Sequence, residues 1–163
     1  MLITGKVWKF GDDINTDLIF PHSAFRVSPE EQAKLVFSDN RPGWAEQVQP
    51  TDIIVAGRNF GTGSSRPGAA LLKRLQLGGL IADSINGLFF RNCIGYGFPA
   101  LQCKGVSDLY EEGDYAVIDL EAGTVKNERT GQTLQGIKIS QSMIDTLAAG
   151  GIEELLKMQG FIG

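Results

Sequence analysis

A chain of 163 residues with 42% hydrophobic and 21% charged residues has the size and composition of one globular domain with a buried core, which excludes a disordered segment. A net charge of -4, with the 15 Lys and Arg scattered, argues against nucleic acid as a partner, because neutralising phosphates requires a basic face. No stretch approaches the roughly 18 apolar residues of a membrane span, and MLITGKVWKF has no long apolar run behind a basic start, so no membrane partner and a cytoplasmic location are expected.

In ITGKVWKF apolar and polar residues alternate, predicting a strand with one wet face, and DDINTD follows as a polar turn before LIFP. PEEQAKLVF has a proline at a plausible first helical position, two glutamates in the first turn, and Ala33, Val36 and Phe37 at helical spacing. TDIIVAG reads as a buried strand, AALLKRLQLGG as a helix with a Gly-Gly stop, LIADS as a second buried strand, SINGLFFRNCIGYG as a helix with Phe89, Phe90 and Cys93 inward, and FPALQC as a third. Such alternation predicts an α/β fold with a parallel sheet and right-handed crossovers. From Asp114 the segments DYAVIDL, TVKNE and QTLQGIKI add antiparallel strands, and two short helices, SQSMIDTLAAGG and GIEELLKMQG, finish the chain. With no internal repeat and no linker, residues 1–163 form one domain.

Cys93 and Cys103 lie in apolar surroundings outside any CxxC pair, which favours reduced, buried thiols over a disulfide. Two cysteines and one histidine cannot complete a zinc site or hold an iron–sulfur cluster, so no metal ligand is assigned to this chain.

The unusual stretch is GRNFGTGSSRPG, residues 57–68, placed between a buried strand and a helix, where open α/β sheets bind ligands. Its glycines let amide N–H groups converge on an anion, and Arg66 offers a planar fork for a carboxylate or phosphate. It is neither a Walker A loop nor a dinucleotide fingerprint. Helix capping by Ser64 and Ser65 with Arg66 in solvent stands beside anion binding as the alternative. The lone His22 lies in the unrelated segment FPHSAF and no GxSxG elbow is present, so a serine hydrolase has little support. A serine hydroxyl can instead carry protons where N–H donors and a guanidinium stabilise its alkoxide.

GRNFGTGSSR resembles the NFGxGSSR loop of the swivel domain of aconitase-like hydro-lyases, and more specifically the separate small subunit of isopropylmalate dehydratase and homoaconitase. GKVWKFGDDINTDLIFP resembles the family's opening strand and DxDTDxIIP segment, and SINGLFFRNCIGYGFPAL its SFxxIFxxNxxxxGxP segment, so the likeness covers nearly the whole chain. It implies a three-layer β/β/α swivelling domain, with a mainly parallel sheet and added antiparallel strands, that closes over a large subunit carrying a [4Fe-4S] cluster. It further implies isomerisation of a malate-type di- or tricarboxylate by dehydration and rehydration, as in leucine biosynthesis. Carried over, Ser64 is the base, Arg66 the carboxylate clamp, and Ser65, Gly63 and Asn59 substrate contacts. The resemblance also places PHSAFRVSP against the substrate's variable group, where Arg26 either binds a distal carboxylate or is solvated, while Asp12, Asp13, Asn15, Thr16 and Asp17 are read as turn and cap residues in preference to direct substrate contacts.

Two departures stand out. Pro67 and Gly68 follow SSR where the family commonly has Glu-His, and His22, Ser23, Ala24 and Phe25 replace its usual Tyr-Leu pair. They leave open a different hydroxy diacid as substrate, and as an alternative function a non-catalytic module that binds an anionic carboxylate metabolite.

Overall fold

The computed structural model describes residues 1–63 and 66–162. Its hub is β1 (Leu2–Lys9), which pairs in parallel with β2 (Ile53–Ala56) on one side and antiparallel with β5 (Tyr115–Asp119) on the other. From β2 the sheet continues in parallel through β3 (Gly79–Ala82) to β4 (Ala100–Gln102), and from β5 antiparallel through β6 (Thr124–Asn127) to β7 (Thr133–Gln135). The seven strands run in the order β4-β3-β2-β1-β5-β6-β7. Parallel and antiparallel pairings number three each, so the antiparallel addition matches the parallel unit in size.

Every residue of β2 and β3 is buried, as expected of parallel strands covered on both faces. Successive side chains point to opposite faces. Ile54, Ala56, Leu80 and Ala82 therefore join one apolar cluster, with Ile19 of α1 (Thr16–Ile19), Trp44 of α3 (Trp44–Gln47), Leu71 and Leu72 of α4 (Gly68–Arg74), and Phe89 and Cys93 of α5 (Gly87–Gly95). On the other face, Ile53, Val55, Ile81 and Leu101 pack with Ala116, Ile118 and Val125 of the antiparallel strands, and with Val106 of α6 (Val106–Leu109) and Leu147 of α7 (Gln141–Ala149). The sheet thus curls until its antiparallel half covers one face of its parallel half while helices cover the other, giving the β/β/α layering. Just beyond β7, Ile137 N donates to Gln102 O at 2.9 Å and draws the sheet's two ends together.

α2 (Pro29–Lys34) begins at the expected proline, capped by Ser28, and α7 is capped by Ser140. The C-terminal α8 (Ile152–Met158) packs on α7 and buries no residue fully. The polar turn DDINTD ends in helix rather than loop, because Asn15 Oδ1 accepts from Leu18 N at 3.2 Å and starts α1. α3 and α6 have four residues each, barely one turn, too short for a periodic signal. Phe90 packs half-buried between both clusters, and Cys93 and Cys103 are free, buried thiols in different clusters. Among the described residues no helix is long and apolar enough to cross a membrane.

The turn before β5 is fastened by Asp114. Its carboxylate accepts from Arg129 Nε at 2.7 Å and Nη2 at 3.1 Å, Asn127 Nδ2 at 2.8 Å and Glu111 N at 2.8 Å. Arg129 above all, with those amides, holds the Asp114 carboxyl far below the usual carboxylate range. A depressed folded-state pKa adds stability that is complete above the unfolded value of about 4 and is lost as pH falls toward the folded one. Asp114→Asn is expected to lower the urea midpoint near neutral pH, with its deficit against wild type shrinking as pH falls below about 4. Parallel unfolding curves across that range test it.

Candidate functional site

The loop after β2 is held by backbone hydrogen bonds that prolong the β1–β2 pairing beyond both strands. Phe10 N donates to Val55 O at 2.8 Å, Gly57 N to Gly11 O at 3.1 Å, Asp13 N to Arg58 O at 2.8 Å, Gly61 N to Ile14 O at 2.7 Å and Thr16 N to Thr62 O at 2.8 Å. On its other side Phe60 N donates to Ser84 O at 3.1 Å, Asn86 N to Phe60 O at 2.8 Å, and Asn59 N to Ser84 Oγ at 2.8 Å. The segments DDINTD, GRNFGTG and SINGLFF, far apart in sequence, therefore lie side by side at the carboxyl ends of the parallel strands.

Two glycines permit this lacing. A Cβ on Gly57 would stand 1.9 Å from Asp12 Oδ1, and one on Gly61, whose φ is +83°, would stand 2.3 Å from Phe89 Cγ. Asp12 accepts from Arg58 N at 2.7 Å and Arg58 Nη2 at 3.2 Å. The Arg58 amide first, and then its guanidinium, hold the Asp12 carboxyl below its ordinary range. Asp13 and Asn59 both adopt left-handed backbone, with φ 58° and 61°, and Asn59 Nδ2 donates to Asp13 Oδ1 at 3.0 Å. Short polar residues tolerate that conformation best.

Beside the laced loops is a small cleft lined by Thr16, Gly61, Gly63, Arg66, Asn86, Leu88, Phe89 and Asn92. Arg66 is its cation. Its Nη1 donates to Phe20 O at 2.9 Å and lies 2.9 Å from Asp17 Oδ1, while its guanidinium carbon sits 5.2 Å from the centre of the Phe25 ring. Among the described residues no hydrogen-bond partner of Nη2 or Nε is found, and that edge of the fork has the donor geometry that suits a carboxylate. α4 starts at once after Pro67, and a Cβ on Gly68 would stand 2.9 Å from Ile19 Cγ2. Pro67 and Gly68 thus keep the helix start and let it pack closely on α1.

Of the expected site residues, Arg66 and Gly63 share the cleft, and Ser64 and Ser65 lie outside the described residues. Asn59 is in the same loop but engaged with Asp13, and Arg26 is exposed at the end of a 3₁₀ turn, His22–Arg26, with no ion pair among the described residues. Sequence reasoning missed Asp17 and Phe25 as neighbours of Arg66, and Asn86 and Asn92 as cleft residues. Asn86 carried a signal in its place before the helical run GLFF, since its Oδ1 caps α5 by accepting from Leu88 N and Phe89 N. His22 is exposed, its ring centre 5.8 Å from that of Phe25. Among the described residues no three His, Cys, Asp or Glu gather for a metal, and burial pushes the Cys93 and Cys103 thiols up, away from the thiolate that ligates iron.

Residues 17–105 match the model of the aconitase C-terminal domain family. The chain is 43% identical over 158 residues to the isopropylmalate/citramalate isomerase small subunit of Methanocaldococcus jannaschii, covering 96% of this chain and 94% of that one. It is 42% identical over 162 residues to a 3-isopropylmalate dehydratase small subunit of Thermotoga maritima, covering 98% and 97%. The crystal structure of a 3-isopropylmalate dehydratase from Methanocaldococcus jannaschii superposes with a TM-score of 0.90 at 33% identity, covering 98% of this chain and 96% of that one.

Gly61→Ala tests the lacing directly. The methyl group meets the Phe89 ring in a backbone conformation that disfavours a side chain. Destabilisation of about 1–3 kcal/mol in urea unfolding is expected, and combined with Phe89→Ala the loss should fall short of the sum of the two single losses, because the methyl group then meets no ring.

Proposed function

The chain belongs to the aconitase C-terminal domain family, and from that membership we propose that it is the small subunit of a heteromeric hydro-lyase that isomerises an alkyl-substituted malate by dehydration and rehydration. The observation that carries this reading is Arg66, held by one nitrogen with an edge of its fork open, in the cleft where three distant segments meet.

The reaction removes a proton from the carbon next to a carboxylate, and hydroxide from the adjacent carbon, leaving an alkene that takes water back with the opposite regiochemistry. A proton in that position is very weakly acidic, because its departure pushes charge onto a carboxylate that is already negative. The open edge of Arg66 takes that carboxylate by charge-assisted hydrogen bonds that strengthen as charge accumulates. Ser64 receives the proton at Oγ and returns it in the hydration half, and Ser65 and the Gly63 amide donate to the substrate. Asn59 and Arg26 contact the rest of the substrate, with the loop at 21–29 facing its variable group. A [4Fe-4S] cluster in the large subunit supplies Lewis acidity toward the substrate hydroxyl. In this reading the two buried thiols are not its ligands, activity depends on the partner, and the complex works in the cytoplasm.

Reconstitution with a cluster-bearing large subunit is expected to yield alkene absorbance with an alkyl malate, isopropylmalate or citramalate being the first to try. Arg66→Lys, which loses the fork but keeps the charge, and Ser64→Ala should each reduce turnover by about 10²-fold or more while the complex still assembles. Normal turnover in both variants would remove these roles.

A further inference from the structure

We infer that Phe25 is a positioning residue for Arg66: its ring is the shelf that fixes the plane of the guanidinium and so aims the open edge of the fork. The inference rests on the reading of Arg66 as the carboxylate clamp and adds a device to it.

Among the described residues, the polar contacts found for Arg66 fall on a single nitrogen, Nη1, which meets Phe20 O and Asp17 Oδ1 at 2.9 Å each. A planar group pinned at one corner still pivots about that corner. What restrains the pivot is a surface beneath the group, and the Phe25 ring supplies it: the guanidinium carbon lies over the ring, 5.2 Å from its centre. The ring is itself braced, with its centroid 4.9 Å from that of Phe20, which is only 2% exposed, and 5.8 Å from that of His22. Phe25 nonetheless remains 56% exposed. An aromatic ring so exposed contributes little to the core, and its well-defined contacts are these two rings and the arginine.

The consequence joins two parts of the site. Phe25 lies in the 3₁₀ turn His22–Arg26, within the segment 21–29 expected to meet the variable group of the substrate. Phe20, whose carbonyl takes Nη1, immediately precedes that segment. The loop that selects the substrate and the residue that clamps its carboxylate are therefore one mechanical unit. Exchanging the loop for one without an aromatic side chain at 25 disturbs the clamp whatever it does for the substrate's side chain.

Phe25→Leu and Phe25→Tyr, compared with wild type as the full chain and in the reconstituted complex, provide the test. In the full chain, the Arg66 Nε–Hε resonance, assigned by its loss in Arg66→Lys, should be shifted by the ring in wild type and Phe25→Tyr and return toward its solvent position in Phe25→Leu. In the complex, Phe25→Leu should lose roughly tenfold or more in kcat/KM, as misaimed groups do, with Phe25→Tyr within about twofold of wild type and assembly unchanged in both. An Arg66 resonance indifferent to Phe25→Leu overturns the inference, as do unchanged kinetics in that variant or an equal loss in both. A wild-type complex inactive on every acid would instead defeat the clamp reading, and the resonance would still decide whether the ring holds the guanidinium.

Discussion

The site depends on a hydrogen-bonded seam that continues past the ends of β1 and β2. Backbone groups leaving a buried parallel sheet must find partners or pay the desolvation cost. Here Gly11, Asp13, Ile14 and Thr16 on one loop satisfy Gly57, Arg58, Gly61 and Thr62 on the other. The seam fixes where each loop can run, and so where Gly63 and Arg66 emerge. It also explains the glycine pattern, because at Gly57 and Gly61 the space a side chain would need is filled by the Asp12 carboxylate and the Phe89 ring. The second side of the loop is fixed in the same way by Ser84 and Asn86, which carry α5 and Phe89 into place.

Much of this was legible in the sequence because strand runs such as IIVA and LIA are short, apolar and set between polar residues and glycines, and because the site loop falls between a strand and a helix. The β/β/α layering was available only through the likeness of GRNFGTGSSR and its two companion segments to a known family. Periodicity marks which residues are buried but not that Ile118 and Val125 would cover Ile53 and Val55 after the sheet curls. The partners of Arg66 were illegible for a similar reason. Asp17 and Phe20 lie more than 40 positions away, and one of the two contacts is to a backbone carbonyl, which every residue carries. Asp17 read as an ordinary turn residue because nothing local distinguishes a carboxylate that caps a turn from one that meets a guanidinium.

The electrostatics of the cleft are less favourable to an anion than the loop sequence suggests. Asp12, Asp13 and Asp17 are all exposed along the adjoining segment, and two of the nearby cations are already engaged, Arg58 with Asp12 and Arg66 with Asp17. A dicarboxylate approaching the isolated chain meets a cation whose charge is partly compensated on a protein of net charge -4. Its attraction must come from the geometry of the open edge of Arg66 rather than from a broad positive potential. That arrangement suits discrimination by hydrogen-bond direction, because a misplaced carboxylate finds Asp17 instead of a second donor.

The same balance explains why such a site, read as half of a hydro-lyase, gains from a covering surface. An ion pair open to water contributes about 0–1 kcal/mol, too little to offset the build-up of charge on a carboxylate. The same fork and amides act more strongly where water is excluded, since attraction between charges rises as the effective dielectric falls. The architecture suits closure of that kind. The loop is laced to one continuous sheet as far as Thr62, and Arg66 is tied through Nη1 to Phe20, so a movement of the whole domain against a partner carries Arg66 and the loops beside it together. A site assembled on independently moving loops would have to rebuild that arrangement at each closure. On that reading, the stiffness of the seam and a covering partner are two aspects of one design: rigid donors on this chain, made effective by a surface that removes the water.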